Sequence, residues 1–144
     1  MRVGVSEKYL IWMNYKSSYQ QDFFDALQRC GVDLLVYYYE EVPESRIALG
    51  WKESGELRTY ERYFNTPLIE VESDPDFHER IHVVPGYGSP FTRKLTRYLC
   101  KKNAPWIHWS ERAHSGLRWW LSYPRKRWYA NLVNRYALGA FGQG

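Results

Sequence analysis

Glu111 and His114 stand three residues apart, and Glu111 is the single acid among the 11 Lys and Arg residues that follow Arg80. A carboxylate beside an imidazole can polarise or deprotonate an acceptor hydroxyl, because histidine changes charge near neutral pH. The same spacing also suits an ordinary loop in which Glu111 pairs with Arg112 or Arg118, and both readings stay open. A second constellation is Pro85-Gly86-Tyr87-Gly88-Ser89, where two glycines precede a helix start whose free N–H groups could hold a phosphate or carboxylate. Its spacing matches neither a P-loop nor a dinucleotide fingerprint, so a tight turn before a helix is the plainer account. The third runs from Leu117 to Tyr129 and interleaves Trp119, Trp120 and Trp128 with Arg125, Lys126 and Arg127. Such a surface fits anionic lipid headgroups or, as a less favoured partner, nucleic acid. Tryptophans packed inside with their neighbouring bases in water explain the same stretch, and that account is preferred. His78, His82 and His108 lack acidic or cysteine companions at ligand spacing, so no metal site is expected.

These residues need elements to position them. Arg2-Val3-Gly4-Val5 reads as a buried first strand and Ser6 to Lys16 as the long loop leaving it. Ser18 and Gln21 form a capping box for a helix that buries Phe23, Phe24, Leu27 and Cys30 and stops at Gly31. Leu34 to Tyr39 is a second strand, completing a β-α-β unit. Gly50, Gly55, Pro67 and Pro75 break up the acidic stretch from Glu40 to His78, within which Leu68-Ile69-Glu70-Val71-Glu72 reads as a strand. Ile81 to Pro85 restarts the pattern as a strand. Ser89 caps a helix with Pro90 at its first position and Phe91, Leu95, Tyr98 and Leu99 on one face, ending at Asn103. Trp106 to Ser110 is the next strand. A helix from Pro124 or Arg125 to about Tyr136 places Trp128, Leu132 and Tyr136 on one side, and Ala137 to Phe141 forms a last strand. The alternation specifies an α/β, Rossmann-like open sheet, mostly parallel, with helices on both faces. In such a sheet ligands sit beyond the carboxyl ends of the strands, which singles out the loops Ser6–Lys16, Pro85–Ser89 and Glu111–Gly116.

At 144 residues the chain has room for one ordinary domain, residues 1–144. Aromatic residues make up 18% of it, a share that suits a cleft or an interface as well as a core. The charge is lopsided: residues up to Arg80 carry 9 bases and 15 acids, a net −6, and the remainder carries 11 bases and one acid, a net +10. One part should therefore attract anions. Charge interrupts the N-terminus too early for a signal peptide, no run reaches spanning length, and Cys30 and Cys100 read as small buried hydrophobes. A cytoplasmic location, peripheral to a membrane if the basic aromatic stretch docks there, is the expectation.

Three segments carry a resemblance: His82-Val83-Val84-Pro85-Gly86-Tyr87-Gly88-Ser89-Pro90-Phe91-Thr92-Arg93-Lys94, Trp106-Ile107-His108-Trp109-Ser110-Glu111 and Asn134-Arg135-Tyr136-Ala137-Leu138-Gly139-Ala140-Phe141. Together they resemble the N-terminal, acceptor-side domain of GT-B glycosyltransferases of the group 1, or family 4, type. The resemblance implies two Rossmann-like domains facing a cleft. One binds a saccharide or lipid-linked acceptor; the other, a C-terminal domain beyond Gly144, binds the nucleotide-sugar donor without an obligatory metal. No cofactor is implied for this chain, which would supply half of a hexosyltransferase and be inactive alone. By the same resemblance His114, with Glu111 second, lies near the acceptor and the transferred sugar. Gly86, Tyr87 and Gly88 would border the cleft, and Lys8, Asn14 and Lys16 would approach it from the first loop. The alternative is a non-catalytic module that uses residues 117–129 to bind anionic lipid or nucleic acid.

Overall fold

Parallel strands cannot be joined by a tight turn, so each pair needs a crossover, and here the crossovers are helical wherever they are regular. The computed structural model describes residues 7–51, 55–65, 67–75, 77–86, 88–110 and 120–142. The chain divides into two compact units, Met1–Asp74 and Pro75–Gly144. Each is a parallel α/β layer, and the α/β, Rossmann-like class expected from the sequence is the fold.

In the first unit the described elements are β1 (Lys8–Met13), α1 (Ser18–Arg29), β2 (Asp33–Tyr38), α2 (Glu44–Ala48), β3 (Glu61–Tyr63) and α3 (Leu68–Val71). The strands lie in the order β3-β2-β1. Lys8 stands opposite Asp33 and Met13 opposite Tyr38, while Val36 to Tyr38 run beside Glu61 to Tyr63. Leu10 to Met13 are all buried, so β1 is covered on both faces, whereas β2 buries alternate residues Leu34, Val36 and Tyr38. The expected loop from Ser6 to Lys16 is therefore corrected: its middle is β1. The expected strand Arg2–Val5 lies outside the described residues.

Two further expectations change. The cap of α1 is Ser17, whose hydroxyl accepts from the Gln20 amide at 3.3 Å, so Ser18 and Gln21 form no capping box. Gln21 is spent elsewhere, on a buried contact with Glu61. Phe24 is the buried aromatic of the helix, Phe23 and Cys30 are exposed, and Gly31 ends it with a φ of 84°, as read. Leu68 to Val71 is a single helical turn, not a strand, because Leu68 and Val71 bury together at i, i+3 while Ile69 and Glu70 face water.

The second unit contains β4 (Ile81–Pro85), α4 (Pro90–Lys102), β5 (Trp106–Ser110), α5 (Tyr123–Tyr136) and β6 (Gly139–Gly142), with strand order β4-β5-β6. His82 pairs with Trp106 and Ile107 with Gly139, both in parallel. Helix α4 follows its sequence signals closely: the Ser89 hydroxyl accepts from the Thr92 amide at 3.0 Å, Pro90 opens the helix, and Asn103 closes it at a φ of 54°. Leu95 and Leu99 are fully buried, and Thr92 and Thr96 join them by returning their hydroxyls to the Ser89 and Thr92 carbonyls. Helix α5 buries Tyr129, one position on from the Trp128, Leu132 and Tyr136 stripe expected; Tyr136 is exposed. Cys100 is half-buried.

The first unit is fastened by one carboxylate. Glu61, 0% exposed, accepts from the Gln21 side-chain amide at 2.8 Å, the Tyr38 hydroxyl at 2.7 Å and the Arg58 backbone amide at 2.7 Å. Those donors come from α1, β2 and the turn before β3. Burial, and then the bond to Glu61, push the Tyr38 phenol above its ordinary value, so it stays a donor. Glu61→Ala strands two buried side chains and the part-buried Arg58 amide and should cost about 3 kcal/mol of unfolding free energy in urea titration. Glu61→Gln can keep its carbonyl on the Gln21 and Arg58 side while Tyr38 turns to accept, so it should cost about 1 kcal/mol. Equal losses in the two variants would contradict this account.

Candidate functional site

Beyond the carboxyl end of β1 the chain reads Asn14-Tyr15-Lys16-Ser17 before entering α1. The Met13 and Asn14 carbonyls accept from the Tyr39 and Glu40 amides at 3.1 and 2.7 Å, which extends the pairing of β1 and β2 past the strands and fixes this turn. From it, two consecutive side chains reach Trp51 and Gly55. Tyr15 meets the Trp51 ring edge-on with centroids 5.9 Å apart, and the Lys16 ammonium donates to the Gly55 carbonyl. Trp51 is in turn tied to α2: its amide donates to the Arg46 carbonyl at 3.1 Å, and the Arg46 guanidinium stands 5.1 Å from its ring centroid.

Lys16 is 5% exposed. Among the described residues no carboxylate pairs with it, and its hydrogen bond goes to a neutral carbonyl. Behind this rim Trp12 is fully buried, with Tyr37 and Phe64 edge-on at 5.3 and 5.0 Å, so the aromatic layer continues into the core. The site thus combines half-buried aromatic rings, a buried cation and an exposed guanidinium at the end of a parallel sheet where ligands collect.

Of the residues expected from the first loop, Asn14 and Lys16 lie together here. Lys8 does not join them. It opens β1, about 20 Å away by strand rise, beside the amino end of β2. Trp51, Tyr15 and Arg46 went unnoticed in the sequence. The available signal was an isolated tryptophan following Gly50 inside an otherwise acidic stretch, since a large ring in a polar loop has to rest on something.

In the second unit, β4 and β5 end side by side, and the Gly86 amide donates to the Trp109 carbonyl at 2.9 Å. The turn with Gly86 (φ 59°) and Gly88 is therefore held next to the end of β5, with Arg93 donating to the Gly88 carbonyl. Tyr87, Glu111, His114 and Trp119 lie outside the described residues. Trp120 is 68% exposed, and Arg125 and Arg127 are exposed on α5. Trp128 is half-buried with the Arg97 guanidinium of α4 at 4.8 Å from its ring, so it joins two helices and faces water only in part.

His82 is fully buried against Phe77, ring centroids 4.7 Å apart, with Nε2 3.1 Å from the Phe77 carbonyl. His108 meets the buried Tyr129 hydroxyl through Nδ1 at 3.1 Å. Among the described residues there is no group of His, Cys, Asp and Glu able to hold a metal ion, and no helix long and apolar enough to cross a membrane.

No protein-family model, curated protein or solved structure matches this chain.

Burial lowers the His108 pKa below its ordinary value of 6.5. The unfolded chain then takes up that proton first, so stability is complete above pH 6.5 and declines as pH falls toward the native value. Thermal melts from pH 7.5 to 5.5 should show a steeper acid loss for the parent chain than for His108→Gln; parallel curves would refute the assignment.

Proposed function

We propose that this chain is the acceptor-side domain of a sugar transferase, holding a saccharide or lipid-linked acceptor while a second α/β domain presents a nucleotide-sugar donor. One observation carries it: a rim with Trp51, Tyr15, Asn14 and the buried Lys16 lies beyond the carboxyl end of a parallel strand. Aromatic faces stack on the apolar C–H faces of pyranose rings, while amide and ammonium groups satisfy hydroxyls, and such a mixture suits a neutral polyol better than an apolar ligand. In the transfer itself the acceptor hydroxyl attacks the anomeric carbon, the nucleoside diphosphate leaves, and the hydroxyl proton needs a base. His114, supported by Glu111, is proposed for that role, since an imidazole titrates where such a proton must move. The resemblance of the β4-α4-β5 segment to GT-B enzymes supports the same reading.

Binding to an array of neutral and acidic oligosaccharides, followed by titration of the best ligand, tests the acceptor role. Trp51→Ala should weaken that ligand about tenfold, the loss of one well-placed aromatic contact. An array without a binder, or an unchanged affinity in the variant, counts against the rim.

A second reading has its own observation. Trp120 and Leu121, 68% and 78% exposed, precede the basic start of α5. A pair of that kind beside Arg125, Lys126 and Arg127 can rest on an anionic bilayer. Vesicles containing 30% phosphatidylserine, to take a composition of roughly that anionic fraction, should sediment the parent chain. Replacing the three bases by Gln should lower the partition coefficient about a hundredfold or more, at about 1 kcal/mol per base. Retention of full binding by the triple variant would exclude this surface.

A further inference from the structure

The cost of hiding Lys16 is not met by anything described around it. An ammonium withdrawn from water keeps three donors to satisfy and a positive charge to balance. Here it has one neutral carbonyl, that of Gly55, and no carboxylate partner among the described residues. Glu61, the nearby strand's buried acid, is already engaged by Gln21, Tyr38 and Arg58. A second cation, Arg46, lies over Trp51, the ring that Tyr15 touches from the next position in the chain. One cation thus stands over the Trp51 ring, and the other follows directly on the tyrosine that touches it.

We infer that the rim formed by Lys16, Trp51 and Arg46 selects an anionic saccharide, one whose ring stacks on Trp51 while a carboxylate or phosphate takes the free donors of Lys16. This rests on the acceptor-side reading above and narrows its substrate class. An anion supplies both missing elements at once: it accepts the unused N–H groups and neutralises the charge, and charge-assisted bonds in a water-poor site are about twice as strong as neutral ones. A neutral sugar hydroxyl can do only the first.

The test compares glucose, glucuronate and glucose 6-phosphate on the full chain, read by amide NMR shifts around Lys16 and Trp51. Both acids should bind about tenfold more tightly than glucose or better, the size of one added charge-assisted contact. A preference for only one of them identifies carboxylate or phosphate as the group read. In Lys16→Met, which keeps the side-chain length without the charge, the preference for the acids over glucose should vanish. Wild-type chain gives an independent readout: glucose 6-phosphate, but not glucose, should shift the side-chain ε-methylene NMR signal of Lys16. Glucose and the acids binding equally would overturn the inference and leave the acceptor reading intact. Absence of any binding at the rim would overturn both. A preference that survives in Lys16→Met, or a Lys16 side-chain signal unmoved by glucose 6-phosphate, would assign the selectivity elsewhere and likewise overturn it.

Discussion

A single buried carboxylate ties three segments of the first unit together. Strand β3 is three residues long and reads Glu-Arg-Tyr, a sequence with little intrinsic reason to join a sheet. It does so because Glu61 gathers a side chain from α1, a hydroxyl from β2 and a backbone amide from the turn ahead of it. A neighbouring set ties the same turn to α1 again: Tyr60 donates to Asp25 at 2.5 Å and Arg58 pairs with that acid at 3.3 Å. The hydrogen bond from Tyr60 is the main reason the Asp25 carboxyl sits below its ordinary range. Once β3 is fastened, Phe64 is delivered to Trp12 and Tyr37. The polar cluster is thus the scaffold of the first unit's edge strand.

The two units show two ways of ending a parallel strand. In the first, the turn after β1 is secured by backbone pairing to the residues after β2, leaving Tyr15 and Lys16 free to reach across. In the second, Pro85 ends β4 without an amide to offer, and Gly86, in a left-handed conformation that suits glycine, supplies the bond to Trp109 instead. Both solutions fix the strand ends by backbone hydrogen bonds.

What the sequence disclosed depended on how local its signals were. The β4-α4-β5 segment was readable because Ser89-Pro90 and Asn103 mark both helix ends and the strands are continuous apolar runs. Strand β1 was misread since Lys8, Tyr9 and Asn14 frame Leu10 to Met13 with polar groups, and the aromatic Trp12 passes for a loop residue until its full burial is known. The turn at Leu68 was misread because four residues are too few to separate a period of two from one of 3.6. Asn14 and Lys16 could be named from the sequence; Trp51 could not, for its meeting with Tyr15 depends on a contact between segments more than thirty residues apart, and Arg46 enters only through its place over the Trp51 ring. The long-range bonds of Glu61 were equally invisible, as a lone acid in an acidic stretch reads as solvated surface.

The withdrawal of Lys16 from solvent also governs how a protease meets the folded chain. Trypsin needs several residues of accessible, extended backbone around the bond it cuts, and the bond after Lys16 lies between the buried end of β1 and the first turn of α1. Cutting there requires that the strand leave its sheet, whereas a base on an exposed helix face needs only local fraying. The fragment ending at residue 16 is therefore a clock for opening of the whole first layer, read directly from a digest.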